Sequence, residues 1–314
     1  MDARLHSTPY PTTGTVVTDA GLETWLTFQR GIDLPAFAAY PLLGTVEGRA
    51  VIAEYYRQFL EIADSIGAAV DIETVTWRAN PDWAATLGHD EDTLRSYLSA
   101  SVALVREVES DWSSSSPFLV GGAIGPRGDG YVLGSTMSVD EAASYHGLQI
   151  RHMATEGVDL VTAMTIGYVE EAVGIVQAAS ASGVPVVISF TVETDGSLPC
   201  GVSLQEAITK TDAATDSATL HYMVNCAHPI HVARGLDDGP WTSRVGALRA
   251  NASTLSHAEL DEMQELDDGD PDDLARRCVD LRRELPNLRV IGGCCGTDHR
   301  HVAALANAWT MSCS

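Results

Sequence analysis

Lysine is nearly absent from this 314-residue chain, with Lys210 the single example, and 19 basic residues face 43 acidic ones. The formal net charge of -24 excludes a nucleic-acid partner, because neutralising a phosphate backbone needs the opposite sign. Acidity of this degree can attract a cationic substrate, although solubility or tolerance of salt is the simpler explanation. No apolar run approaches the roughly 20 residues of a membrane-spanning helix. The stretch Met1 to Gly14 is polar and carries prolines, without the basic and apolar segments of a secretory signal. A cytoplasmic location is the resulting expectation. Nothing in the middle resembles a linker or a repeat, and the serine run Ser113 to Ser116 is the only low-complexity tract.

Cysteine is scarce as well. Six are too few for a disulfide framework in a chain of this length, and in a reducing compartment they are expected to stay thiols. Cys200, Cys278 and Cys313 stand alone and read as small hydrophobic residues. The other three do not. Ile291-Gly292-Gly293-Cys294-Cys295-Gly296-Thr297 sets two adjacent cysteines among glycines. Neighbouring cysteines do not easily bond to each other without distorting the peptide between them, and two thiols side by side cannot both enter an apolar core. Both can turn to one soft metal ion, and the glycines relieve Cβ crowding around such a centre. Asn225-Cys226-Ala227 offers the best third thiolate.

Hydrophobic residues make up 45% of the chain, enough for a substantial core. Short apolar runs alternate with helix-period segments. Strands are expected at 14–19, 68–74, 117–123, 158–163, 184–190, 220–225, 244–250 and 288–291. Helices are expected at 47–67, 92–109, 138–157, 169–182, 204–211, 274–285 and 299–309. Val51, Ile52, Tyr55, Phe59 and Ile62 mark the buried face of the first helix, and Ser138 with Glu141 forms a capping box. The acidic insert Asp261 to Asp273 reads as a surface excursion. Eight alternations argue for a parallel sheet closed into a (β/α)8 TIM barrel, a single domain over residues 1–314.

Such barrels place their active sites at the C-terminal ends of the strands. Asp19, Glu73, Asn225, Cys226 and the Cys294-Cys295 pair all fall there, on strands one, two, six and eight. Three thiolates would leave a zinc ion one open position, the signature of a catalytic rather than a structural site. His228, His231, His299 and His301 are rivals for that place, though each reads better as a helix cap.

These residues resemble the homocysteine S-methyltransferase family, which includes the betaine and S-methylmethionine enzymes and the first module of cobalamin-dependent methionine synthase. The resemblance runs through Asp19-Ala20-Gly21, Glu73-Thr74-Val75-Thr76-Trp77, Gly122-Ala123-Ile124-Gly125-Pro126, Ser189-Phe190-Thr191, Asn225-Cys226 and Gly292 to Thr297. It implies a zinc-dependent thiol methyltransferase on a (β/α)8 barrel, with Cys226, Cys294 and Cys295 as the Zn2+ ligands. It further implies that Asp19 helps hold the amino group of homocysteine and that Glu73, Thr74 and Asn225 line the pocket. A free thiol with a pKa of about 8.5 is mostly protonated at neutral pH, whereas a zinc-bound one is deprotonated.

The family often places a glutamate where this chain has Met164, and a thioether cannot pair with an ammonium ion. Either Glu73, Asp19 or Glu193 takes over that contact, or the acceptor is not homocysteine. The leading expectation is methyl transfer from S-methylmethionine or S-adenosylmethionine, ahead of betaine, to homocysteine, giving methionine. Alternatives are another thiol or selenol acceptor, a methylated corrinoid brought by a partner protein, or a non-catalytic zinc-binding barrel closed by His228 or His231. The expected partners are a small thiol and a methyl donor, with no nucleic acid and no membrane; homo-oligomerisation is left open.

Overall fold

Eight short strands pair in parallel, each with its neighbour in sequence, and the eighth closes on the first. The computed structural model describes residues 10–312 other than 12 and 264. Its strands are β1 (Val16–Thr18), β2 (Ala69–Glu73), β3 (Phe118–Ile124), β4 (Leu160–Ile166), β5 (Val186–Phe190), β6 (Tyr222–Asn225), β7 (Val245–Ala250) and β8 (Val290–Gly293). Helices Val46–Ile66, Glu91–Asp111, Val139–Glu156, Val169–Ser182, Leu204–Thr215, Pro229–Arg234 and Pro271–Leu281 fill the intervals, and His299–Met311 follows β8. This is the (β/α)8 barrel that the alternation of patterns predicts.

The boundaries follow from local chemistry. The capping box of Ser138 and Glu141 starts its helix, and Gly157 ends it at φ +87°, a conformation open to glycine at little cost. Helix Val46–Ile66 buries Ile52, Tyr55, Tyr56 and Phe59, while Val51 and Ile62 pack at the edge of the same core.

Side chains alternate along each strand, so every second residue points into the barrel. Val16, Ala69, Leu119, Leu160, Val187, Met223, Ala247 and Val290 form an apolar floor against Tyr10. Two residues further along come Thr18, Asp71, Thr162, Ser189, Asn225 and Arg249, all buried and all polar. The Tyr10 hydroxyl bonds the Asp71 carboxylate. Another step on stand Glu73 and Met164, both buried at the mouth. An apolar floor under a polar layer is the arrangement of a barrel that holds a polar ligand at its open end.

Three features depart from the sequence reading. Short helical turns at Leu22–Thr24 and Trp25–Gln29 and the helix Pro81–Thr86 go beyond the simple alternation. The acidic insert is not only a surface excursion: it follows β7, so it emerges on the functional face, and Asp261, Leu266 and Asp267 line a cavity there. Cys200 is exposed, whereas Cys278 is buried as a small hydrophobic residue, with burial pushing its thiol up to about 12. Cys313 and most of the Met1 to Gly14 stretch lie outside the described residues. Among the described residues no helix is long and apolar enough to cross a membrane.

Candidate metal centre and its cavities

Cys226 leaves β6 with φ +53°, a left-handed conformation rare for a residue with a side chain. Cys294 and Cys295 leave β8, and the three Sγ atoms lie within 4.8 Å of one another. Local hydrogen bonds fix this turn. The Cys294 amide donates to the Ala250 carbonyl at 2.8 Å, and Thr297 Oγ1 donates to the Cys294 carbonyl at 2.6 Å. Asn251 Nδ2 reaches the Cys226 carbonyl at 3.2 Å. Gly292 is required because a Cβ there would run into Thr18 Oγ1.

Cys226 and Cys294 are joined as a disulfide, with Cα atoms 5.4 Å apart. The expectation that all cysteines remain thiols is corrected on this point. The cause is the convergence itself, since the turn that gathers three sulfurs brings two of them within bonding reach. Cys295 stays a free thiol, 3.6 Å from the Cys226 sulfur. Burial pushes Cys295 up to about 11, and the negative charge of Glu23 adds to the shift. A thiolate in this setting is favoured only beside a cation. Once reduced, three clustered sulfurs fit a soft or borderline metal ion. Among the described residues no histidine joins them. His228 caps its own helix, with Nδ1 accepting from the Ile230 amide at 3.3 Å, and His301 is bound to Asp298 at 3.2 Å.

Asn225, expected to line the pocket, does so while acting as a clamp. Its Oδ1 accepts from the Thr165 amide at 2.8 Å and Ser189 Oγ at 2.6 Å, and its Nδ2 donates to Thr165 Oγ1 at 2.9 Å. Thr165 is held at φ +63° by these bonds. Thr74 also lines the pocket, but its hydroxyl already accepts from the Ala123 amide at 2.9 Å.

Two side chains escaped the sequence reading. Tyr131, in the loop after β3, donates its hydroxyl to Cys226 Sγ at 3.0 Å and stacks on His257 with ring centroids 4.2 Å apart. Its only sequence signal is a place in a glycine-rich loop on the functional face. Arg249, on β7, pairs with Asp19 at 2.6 Å where both are buried. Its signal was available: an arginine inside an otherwise apolar strand needs a buried partner.

An inner cavity of about 70 Å³ is lined by the three cysteines with Asp19, Glu23, Glu73, Met164 and Arg249. An outer one of about 360 Å³ is lined by Phe28, Phe37, Trp77, Arg78 and His257 together with Asp129, Asp261 and Asp267. They share Thr24, Phe37, Trp77, Tyr131 and Cys295 as a common wall. Glu193 lines neither and sits instead beside His228 and His231. Burial is the largest effect on the inner carboxyls. It raises Asp19 against the pull of Arg249, raises Glu73 well above the usual range with help from Asp71, and lifts Glu23 to about 7.

No curated protein sequence matches the chain. The crystal structure of the homocysteine methyltransferase MmuM from Escherichia coli in its oxidised form superposes with a TM-score of 0.75 at 21% identity, covering 94% of this chain and 96% of that one. The metallated form of the same E. coli protein gives a TM-score of 0.72 at 21% identity over the same shares. At this identity the likeness speaks for the fold. The family described as homocysteine S-methyltransferase matches residues 16–309, almost the whole barrel. This chain is a methyltransferase that belongs to the homocysteine S-methyltransferase family.

Proposed function

We propose that this barrel transfers a methyl group from a small sulfonium donor, S-methylmethionine or S-adenosylmethionine, to the thiol of homocysteine, giving methionine. The observation that carries this reading is the gathering of Cys226, Cys294 and Cys295 within 4.8 Å at the strand ends, open to a buried cavity. In the reduced protein these residues would hold zinc, which when bound would keep the acceptor sulfur as a thiolate at neutral pH. Among the described residues no histidine stands with the three cysteines, an arrangement that fits an open, catalytic site better than a closed, structural one.

The residues of this chain supply binding, orientation and exclusion of water. The acceptor enters the inner cavity with its sulfur toward the cysteines. The outer cavity suits the donor, because Phe37, Trp77 and Tyr131 line it beside Asp129, Asp261 and Asp267, whose charges outnumber that of Arg78 and complement an onium cation. These walls fit a small onium better than a methylated corrinoid. As the new S–CH3 bond forms, the donor carbon–sulfur bond breaks, its electron pair stays on the donor, and the donor leaves as a neutral thioether. Opposite charges on thiolate and sulfonium are annihilated, so a cavity with little water favours the transition state over the separated ions.

A second reading, an acceptor other than homocysteine, draws on Met164, whose thioether lines the inner cavity. Both are tested by incubating reduced, zinc-loaded protein with homocysteine and each of S-methylmethionine, S-adenosylmethionine and betaine, with methionine measured by mass spectrometry. Methionine formed at the expense of a sulfonium donor is the expected result. No transfer from any of the three would overturn the leading reading.

A further inference from the structure

Among the described residues, the inner cavity holds one guanidinium nitrogen and one carboxyl that no ion pair satisfies. Arg249 is 3% exposed. Its Nη2 contacts Asp19 at 2.6 Å and the Ala20 carbonyl at 3.0 Å, and its Nε donates to the Gly293 carbonyl at 3.0 Å. Its Nη1 is buried and has no hydrogen-bond partner among the described residues. Glu73, also 3% exposed, has both carboxyl oxygens buried with no ion-pair partner among the described residues and with the Thr162 hydroxyl beside it. A buried polar group left unsatisfied costs about 1–3 kcal/mol, and more when charged, so such groups ask for an explanation. Both side chains line the cavity that holds the three cysteines.

We propose that this cavity recognises its acceptor by a zwitterionic head, the carboxylate bound at Arg249 Nη1 and the ammonium at Glu73. The proposal rests on the reading of the site as a thiol methyltransferase, and it moves the ammonium contact from β4, where Met164 stands, to β2. Other candidates for the ammonium are poorer. Asp19 already balances Arg249, Glu193 does not line the cavity, and Glu23, which does line it, is half-buried, so water can satisfy its carboxyl. Gly121 makes the room, since a Cβ there would collide with the Glu73 carboxyl.

Charge decides between a zwitterion and a simpler ligand. A carboxylate alone would bring another anion to a cavity that already holds Asp19 and Glu73. An ammonium alone would leave Arg249 Nη1 unsatisfied. A zwitterion satisfies both and adds no net charge to a site with little water. Burial and Asp71 push the Glu73 carboxyl well above the usual carboxylate range, and an arriving ammonium favours its ionised form.

The test compares three thiols on reduced, zinc-loaded wild-type protein by calorimetry: homocysteine, 4-mercaptobutyrate, which lacks the ammonium, and 3-aminopropanethiol, which lacks the carboxylate. Each truncated thiol should bind roughly 10- to 100-fold more weakly than homocysteine, the range of one charge-assisted hydrogen bond. Arg249→Lys, which keeps a cation beside Asp19, should weaken homocysteine and 4-mercaptobutyrate and leave 3-aminopropanethiol unchanged. Glu73→Gln should weaken homocysteine and 3-aminopropanethiol and leave 4-mercaptobutyrate unchanged. Equal binding of the three thiols to wild type, or variants that weaken all three alike, overturns the cradle. Protein that binds in the expected pattern yet moves no methyl group sustains the cradle and overturns the methyltransferase reading. Methyl transfer to homocysteine with all three thiols bound alike does the reverse.

Discussion

Removing Asp19 should unfold this barrel more readily than its position at the cavity edge suggests. The carboxylate meets Arg249 at 2.6 Å, and both side chains are at most 5% exposed. Unit charges about 4 Å apart attract by about 4 kcal/mol at an effective dielectric constant of 20, and breaking a buried pair from one side typically costs about 3–5 kcal/mol. Asp19→Leu should therefore destabilise by about that amount, because it strands a buried guanidinium. At roughly 2–4 °C per kcal/mol for a domain of this size, the melting temperature should fall by on the order of 10 °C. The pair is nonetheless expensive to bury, as the raised pKa of Asp19 shows: burial outweighs the pull of Arg249. Replacing both partners by apolar groups, Asp19→Leu with Arg249→Met, should then recover most of the loss. The assay is thermal melting of reduced protein followed by circular dichroism. A fall below about 2 °C in the single variant, or a double variant less stable than Asp19→Leu, would refute the reasoning.

Reduction should govern metal loading, because the disulfide takes two of the three ligands and metal needs thiolates. Protein treated with reductant should take up one zinc by elemental analysis, unreduced protein far less, and Cys226→Ala, Cys294→Ala or Cys295→Ala should each abolish both stable loading and methyl transfer. Tyr131→Ala removes the wall between the cavities and the hydroxyl 3.0 Å from Cys226; chelators should strip metal several-fold faster from this variant, and an unchanged rate would show that the ring does not shield the cluster. Asp71 has its pKa raised from 3.8 to about 7, chiefly by burial. Its contribution to stability is therefore fully present below about pH 4 and lost as pH rises to about 7, with a ceiling of about 4 kcal/mol. Asp71→Asn should flatten this part of the pH–stability curve and raise the melting temperature at pH 8; a variant that kept the wild-type slope would count against the assignment.

The barrel was legible because each buried parallel strand is a short apolar run and each helix shows a one-sided stripe or a cap. The gathering of the three cysteines was legible because adjacent cysteines among glycines have few other uses. What stayed hidden depends on distance in space rather than in sequence. Tyr131 reaches Cys226 across 95 positions of chain. Arg249 stands out in its apolar strand as an arginine in need of a partner, but only barrel closure shows that the partner is Asp19 of the loop after β1. The disulfide was unforeseen for a different reason: Cys226 and Cys294, 68 residues apart, were expected to meet at the barrel mouth, but as thiols in a reducing compartment. The acidic insert is the surface excursion its composition describes, and its place after β7, which composition does not reveal, adds a role on the functional face.

Met164 marks where the resemblance and the structure pull apart, and the surrounding charges show how one substitution can be absorbed. A cavity that lost an anion on β4 would bind an ammonium poorly if nothing else changed. Here a fully buried carboxyl that lines the cavity with no ion-pair partner among the described residues stands on β2, at Glu73, and a cation stands on β7, at Arg249. Asp19 is tied to that cation, so it supports the guanidinium and is not free for the ligand. Restoring a carboxylate by Met164→Glu would then place a second acid near Glu73, raise the pKa of both by mutual repulsion, and leave homocysteine affinity unimproved in calorimetry. A large gain in affinity would instead place the ammonium on β4 and return Glu73 to a structural role.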